Sequence, residues 1–202
     1  MEPEETKPSG RVALILDVEN IVSAIRKDEK LEKLPAGELL SLAINVIGAL
    51  ARKRYGQVEV AYAALALPDG FGQGMRRTKE ALKNVEILVR HGFSVFVVAA
   101  GRDAADMALC QEVSAILQAN PKVDTVLLCT EDGGLHFRDL MSHIWGANKE
   151  VGIVAYDNPA QVLRATWPRI ELICGQLRIA ASELHEKRQT ASTGPVQVQL
   201  SI

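Results

Sequence analysis

Five consecutive apolar residues, Val12 to Leu16, run straight into Asp17-Val18-Glu19-Asn20. A stretch this short, bounded by polar residues and apolar on both faces when extended, fits a central strand of a parallel sheet better than a helix. Asp17 then leaves the sheet at the carboxyl end of its strand. In open α/β sheets ligands gather at that edge, because side chains from several strands converge there and helix N-termini point into the same volume. Asp17 and Asn20 therefore have two readings. They cap the following helix, as short polar side chains do, or they belong to a site.

The rest of the chain repeats the order strand, helix, strand. A short helix is expected over Asn20 to Lys27, then a polar loop over Asp28 to Lys33. Pro35 stands at the first turn of a longer helix to Arg54, whose stripe of Leu39, Leu40, Ala43, Ile44, Ile47, Leu50 and Ala51 has helical spacing. Gly56 ends it. Val58 to Leu67, Phe93 to Ala99, Thr125 to Cys129 and Glu150 to Ala155 read as further strands, with Arg169 to Cys174 as a short edge strand. Between them lie helices within Gly72 to Gly92, starting at about Gly74, with Leu82, Val85, Ile87 and Leu88 inward, unbroken or with a short break near Val85; from Asp103 to about Ala119, with Ala105, Leu109, Val113, Ile116 and Leu117 inward; from Gly133 to about Trp145; and from Pro159 to about Thr166. Crossovers of this length imply a three-layer Rossmann-like α/β fold with a mostly parallel sheet covered on both faces.

Residues 1–10 form an acidic, proline-containing leader, residues 11–175 one domain, and residues 176–202 a terminal helix and extended tail. Gln189 to Gly194 reads as flexible. The alternation of Val196 to Ile202 suits pairing with a sheet edge or a second subunit, and so a homo-oligomer. Nothing resembles a signal peptide or a membrane span, and the dispersed Cys110, Cys129 and Cys174 suit a reducing cytoplasm. Aromatic residues make up 4% of the chain, too few to advertise a stacking platform for bases, and the net charge of −2 gives no global nucleic-acid footprint. A local basic segment carries that argument instead: Arg76, Arg77, Lys79, Lys83 and Arg90 stand against Glu80 and Glu86. Its plainer reading is the solvated face of an amphipathic helix.

Three strand ends deliver acidic residues to one rim: Asp17, then Asp103 and Asp106, then Glu131 and Asp132. Carboxylates gathered in this way raise one another's pKa values unless a cation sits among them, and Mg²⁺ or Mn²⁺ matches such oxygen donors. Such an ion supports phosphodiester hydrolysis by orienting and activating water. The four histidines, His91, His136, His143 and His185, have no zinc spacing. Neither G-x-G-x-x-G nor a P-loop follows the first strand; Gly70, Gly72 and Gly74 follow the second, without a ribose reader further on. A phosphatase of the haloacid type wants a second aspartate where Glu19 stands. Trp145 and Trp167, each at a helix end among apolar residues, read as core or interface rather than base stackers.

Leu-Asp-Val-Glu-Asn-Ile at 16–21, Ala-Ala-Asp-Met-Ala-Leu at 104–109 and Thr-Glu-Asp-Gly-Gly-Leu at 130–135 resemble, in order and spacing, the three signatures of the NYN domains, a branch of the PIN-like nucleases. The similarity spans roughly Arg11 to Asp157. The resemblance implies a PIN-like Rossmannoid sheet, a Mg²⁺ or Mn²⁺ site and cleavage of RNA or another single-stranded nucleic acid. Carried over by position, Asp17, Asp106 and Asp132 are the metal-coordinating carboxylates, and Asn20 supports the first of them or touches substrate phosphate. Two departures stand out. Glu112 occupies a position where the family usually carries an aspartate, and Gly134 replaces the second acidic residue of the third signature.

The expectation is thus a metal-dependent ribonuclease acting through Asp17, Asp106, Asp132 and Asn20, with Arg76, Arg77, Lys79 and Arg102 along the phosphate backbone. Its rival is a catalytically silent nucleic-acid-binding or scaffold module of the same fold, in which Gly134 marks the lost carboxylate unless Glu131 or Glu112 compensates. A metal-dependent phosphoryl-transfer enzyme acting on a small substrate is the third reading.

Overall fold

Hiding both faces of the first strand takes a sheet with helices on each side, and the chain is built that way. The computed structural model describes residues 10–31, 34–67, 74–99, 101, 104–131, 133, 135–166 and 170–192. In chain order the elements are β1 (Gly10–Asp17), α1 (Val18–Arg26), α2 (Ala36–Arg54), β2 (Gly56–Leu67), α3 (Gly74–Arg90), β3 (Ser94–Ala99), α4 (Ala104–Ala119), β4 (Thr125–Cys129), α5 (Leu135–Gly146), β5 (Glu150–Ala155), α6 (Gln161–Thr166), β6 (Ile170–Leu172) and α7 (Cys174–Ser192). The six strands lie in the order β3-β2-β1-β4-β5-β6, and every pairing is parallel. The chain winds outward from β1 in one direction and then restarts beside it at β4. The switch point of the sheet is therefore the crevice between the carboxyl ends of β1 and β4.

Alternation along β1 divides the core in two. Val12, Leu14 and Leu16 pack with Ile21 and Ile25 of α1, Leu40 and Ile47 of α2, Leu88 of α3 and Leu177 of α7. Ala13 and Ile15 face the other way, onto Leu109 and Val113 of α4, Met141 and Ile144 of α5 and Leu163 of α6. Each large aliphatic side chain buried here contributes roughly 1.5–3 kcal/mol. At the opposite end of the sheet, Gly56 sits at φ +132°, where a Cβ would come within 1.9 Å of the Gly10 carbonyl oxygen, so β1 and β2 meet only because no side chain stands there.

Most expected elements are present, with bounds that differ by a residue or two, and the five inner positions expected of α4 are all buried. Four readings are corrected or narrowed. Leu82 is 53% exposed, because the inward stripe of α3 is Ala81, Asn84 and Leu88, which leaves position 82 about 100° away around the axis. α3 runs unbroken through Val85. Trp145 is 54% exposed at the end of α5, which removes the core half of its core-or-interface reading. Gln189 to Ser192 continue α7 instead of forming a flexible segment. Trp167 and Val196 to Ile202 lie outside the described residues.

α7 is joined to the body by a buried polar cluster as well as by apolar contacts through Leu177 and Ala181. Asp28, in the loop after α1, accepts from the hydroxyl of Tyr156 and, at 2.7 Å, from Nε of Arg178 on α7. Burial alone would raise the Asp28 pKa, but these two donors, with the backbone N–H of Lys30 at 3.0 Å and the charge of Arg178, outweigh it and hold the carboxyl below its ordinary value of 3.8. The Tyr156 hydroxyl is pushed well above its usual range, by burial first and then by its bond to Asp28. A lowered carboxylate pKa means that this cluster stabilises the fold above the ordinary value and that its contribution is lost as pH falls through the folded-state pKa. Tyr156→Phe should therefore lower unfolding free energy by roughly 1.5–3 kcal/mol at neutral pH, the range for a hydrogen bond to a charged group. In denaturant titrations Asp28→Asn should be destabilised at pH 7 yet lose less stability than the parent on acidification; parallel pH profiles would contradict the assignment.

Candidate nucleic-acid interface at the carboxyl rim

Asp17 ends β1 and caps α1. Its Oδ1 accepts from the backbone N–H of Asn20 at 3.2 Å, and its Oδ2 accepts from the Asn20 carboxamide and, at 2.9 Å, from the hydroxyl of Thr130. The capping reading thus holds, and Asp17 also stands at the switch point of the sheet. Thr130 follows β4 directly and donates its own backbone N–H to the Val154 carbonyl of β5 at 3.0 Å. One hydroxyl therefore ties the two strands at the mouth of the crevice. Asp17 is 6% exposed. Burial raises its pKa, opposed by the Asn20 side chain, the Asn20 amide and Thr130 in turn, with Glu19 adding a smaller upward push. The role of Thr130 was missed in the sequence; the available signal was a hydroxyl placed one residue beyond a wholly apolar strand.

The neighbouring acids are committed elsewhere. Glu131 turns to β5, where its Oε1 accepts from the backbone N–H groups of Tyr156 and Asp157, so it does not replace a lost carboxylate at the crevice. Glu19 accepts the Ala66 N–H at 3.1 Å and ties α1 to the end of β2. Asp106 lies half-buried in the first turn of α4, where a carboxylate also favours the helix dipole. Alternation along β1 directs position 17 toward the face that α4 covers, so Asp17 and Asp106 share a rim and a side of the sheet. Glu112 stands six residues beyond Asp106, about 120° around the helix axis and about 9 Å along it. Asp103, Asp132 and Gly134 lie outside the described residues.

Among the described residues no three His, Cys, Asp or Glu side chains gather closely enough to hold a metal ion. Three donors use three of the roughly four lone-pair sites of Asp17 and leave one open on Oδ1. The described residues by themselves do not fit a hard-cation cage. His91 and His143 pair with Ser41 and Ser114, and His185 with Gln189. Cys129, buried beside the crevice, has its pKa raised by burial and then by the Asp17 charge, and Cys110 is pushed up to about 11, chiefly by burial. Both thiols are protonated packing groups.

Of the expected phosphate contacts, Arg77 and Lys79 are exposed on α3, while the Arg76 side chain and Arg102 lie outside the description. Two residues apart on a helix, Arg77 and Lys79 point about 200° apart, so one strand of nucleic acid does not meet both on the same face. Arg77 shares its face with Glu80, Ala81 and Asn84 and lines a groove against α1, to which Arg26 and Lys27 also belong. Arg26 forms an ion pair with Glu80 across that groove.

The family described as NYN domain matches residues 11–170 of the chain. No curated protein matches it. Among solved structures, a universal stress protein from Archaeoglobus fulgidus is similar over 72% of this chain and 93% of that one, at 16% identity and a TM-score of 0.30. Among the described residues no helix is long and apolar enough to cross a membrane.

Two outcomes are expected of the crevice. A raised folded-state pKa at Asp17 means that its contribution is most favourable below the ordinary carboxylate value and is lost as pH rises through the folded-state pKa, so the ionised group works against the fold at neutral pH. Asp17→Asn should then be at least as stable as the parent at pH 7, and chemical denaturation across pH 4–8 should show a smaller decline; a large loss at pH 7 would mean that the charge is needed for folding. At Gly133 an added Cβ would lie 1.9 Å from Cγ1 of Val162, a stiff side chain on α6. Gly133→Ala should cost roughly 1–3 kcal/mol by overpacking, with Val162→Ala in the same chain restoring part of the loss in thermal melts.

Proposed function

From the premise that this chain belongs to the NYN domain family of PIN-like nucleases, we propose that it is a nucleic-acid-binding module whose acidic centre has become structural rather than hydrolytic. The observation that carries this reading is the occupation of Asp17. Both of its oxygens accept hydrogen bonds from Asn20 or Thr130, which makes the carboxylate a strut across the switch point. Gly134, standing where the family's third signature is acidic, points the same way. The binding surface is the rim beside it, where Arg26, Lys27 and Arg77 line one groove despite a net charge of −2 for the whole chain. Single-stranded RNA is the ligand class, held mainly through phosphates. Residues 11–175 constitute the module and residues 176–202 its extension.

The competing reading is the Mg²⁺- or Mn²⁺-dependent ribonuclease, with Asp17, Asp106 and Asp132 as ligands and Asn20 in support. The shared rim and sheet face of Asp17 and Asp106 favours it. Fluorescence anisotropy with single-stranded RNA in chelator should show binding that weakens steeply with salt. Arg77→Glu should reduce both the affinity and the slope of log K against log salt, by about 0.7 for each phosphate that the protein no longer neutralises. Incubation with Mn²⁺ or Mg²⁺ should leave the strand intact. Cleavage that disappears in Asp17→Asn and Asp106→Asn would replace the silent module with the nuclease.

A further inference from the structure

The groove between α1 and α3 holds a polar side chain that the fold does not use. Asn84 occupies the inward stripe of α3 between Ala81 and Leu88 and is 8% exposed, yet among the described residues its carboxamide has no hydrogen-bond partner. Because it lines an open groove, the carboxamide keeps access to solvent there and is free to exchange water for a ligand's polar groups. The groove onto which it opens has a volume of about 680 Å³, within the range of small-ligand sites. Val22, Leu65 and Leu67 give it apolar walls. Its other polar groups are largely committed. Glu19 holds the Ala66 N–H and Glu80 pairs with Arg26, whereas Arg77 and Lys27 keep charges that no described group neutralises.

We infer that this groove receives one unpaired nucleobase of a single-stranded RNA, with Asn84 reading its edge. Aliphatic walls suit the two faces of a planar heterocycle. A carboxamide offers one donor and one acceptor side by side, the complement of the paired donor and acceptor on a base edge. Arg77 and Lys27, exposed on the two helices that form the groove, meet the phosphates on either side of that nucleotide. A base within a duplex has its pairing edge engaged, so the occupant is an unpaired one. The inference rests on the proposal that the chain binds nucleic acid and adds base selection to it. Arg77 serves affinity for any sequence, and Asn84 discriminates between sequences.

The test is anisotropy in chelator with labelled RNA dodecamers that differ only in the four bases at one central position, plus an abasic version, against the parent, Asn84→Leu and Asn84→Ala. The parent should prefer one base by roughly tenfold over the abasic strand, the scale of a good amide-to-base contact. Both variants should lose that preference while keeping the salt-dependent part of binding. Equal affinity of the parent for all five strands overturns base reading and leaves the binding proposal intact, whereas no binding of any strand at low salt overturns both. A preference unchanged in the two variants removes Asn84 from the role. Competition with the four nucleoside monophosphates identifies the source of the base: weak displacement supports the strand, and potency equal to that of the oligomer assigns the groove to a free nucleotide instead.

Discussion

A carboxylate ends a strand that is buried from Val12 to Asp17, and folding must take it out of water. The arrangement at the switch point answers that demand. Asn20 supplies two donors from the first turn of α1, and Thr130 supplies a third from the end of the neighbouring strand, so desolvation of Asp17 is offset in part by three hydrogen bonds to the carboxylate, two of them within its own helix cap. Those bonds join the end of β1 to the first turn of α1 and to the residue after β4. Leu14, Ile15 and Leu16, buried on alternate faces just before it, supply the apolar stabilisation against which the cost of the carboxylate is set.

The family match ends at residue 170, but the packed body does not. Ile173, Leu177 and Ala181 are core residues, and Arg178 reaches back to Asp28, 150 positions earlier in the chain. The extension is thus part of the same packed structure as the strands, through a cluster in which Tyr156 contributes the remaining donor to the same carboxylate oxygen. Polar ties of this kind fix where α7 sits as well as how firmly, because a displaced helix would leave Asp28 buried without its cation.

Much of this architecture was legible in the sequence, because period-two and period-3.6 patterns report directly on which residues are hidden. The bounds of β4 and β5 and the inner face of α4 follow from those patterns alone. The inner face of α3 did not. Its stripe runs through Asn84, a polar residue that pattern reading assigns to solvent, and so the apolar Leu82 was placed inward instead. The same limitation hid Thr130. A hydroxyl carries no periodic signal, and the need for it arises only when β1 and β4 lie side by side. Asp17 was visible because a charge at the end of an apolar run is conspicuous, and alternation with position 132 already turned Glu131 away from the rim, although the amides of Tyr156 and Asp157 that receive it are in no one-dimensional pattern.

The bond between Thr130 and Asp17 spans 113 positions, and β1 has β4 rather than a sequence neighbour on one of its flanks. During synthesis from the N-terminus the central strand can acquire its β2 side early, but its other edge stays open until the chain beyond Thr130 has emerged. Closing so large a loop is entropically slow, and an apolar parallel edge left unpaired in the meantime invites association with other chains. The polar pair that organises the finished rim is therefore among the last features to assemble, which ties the order of translation to the moment at which the crevice first exists.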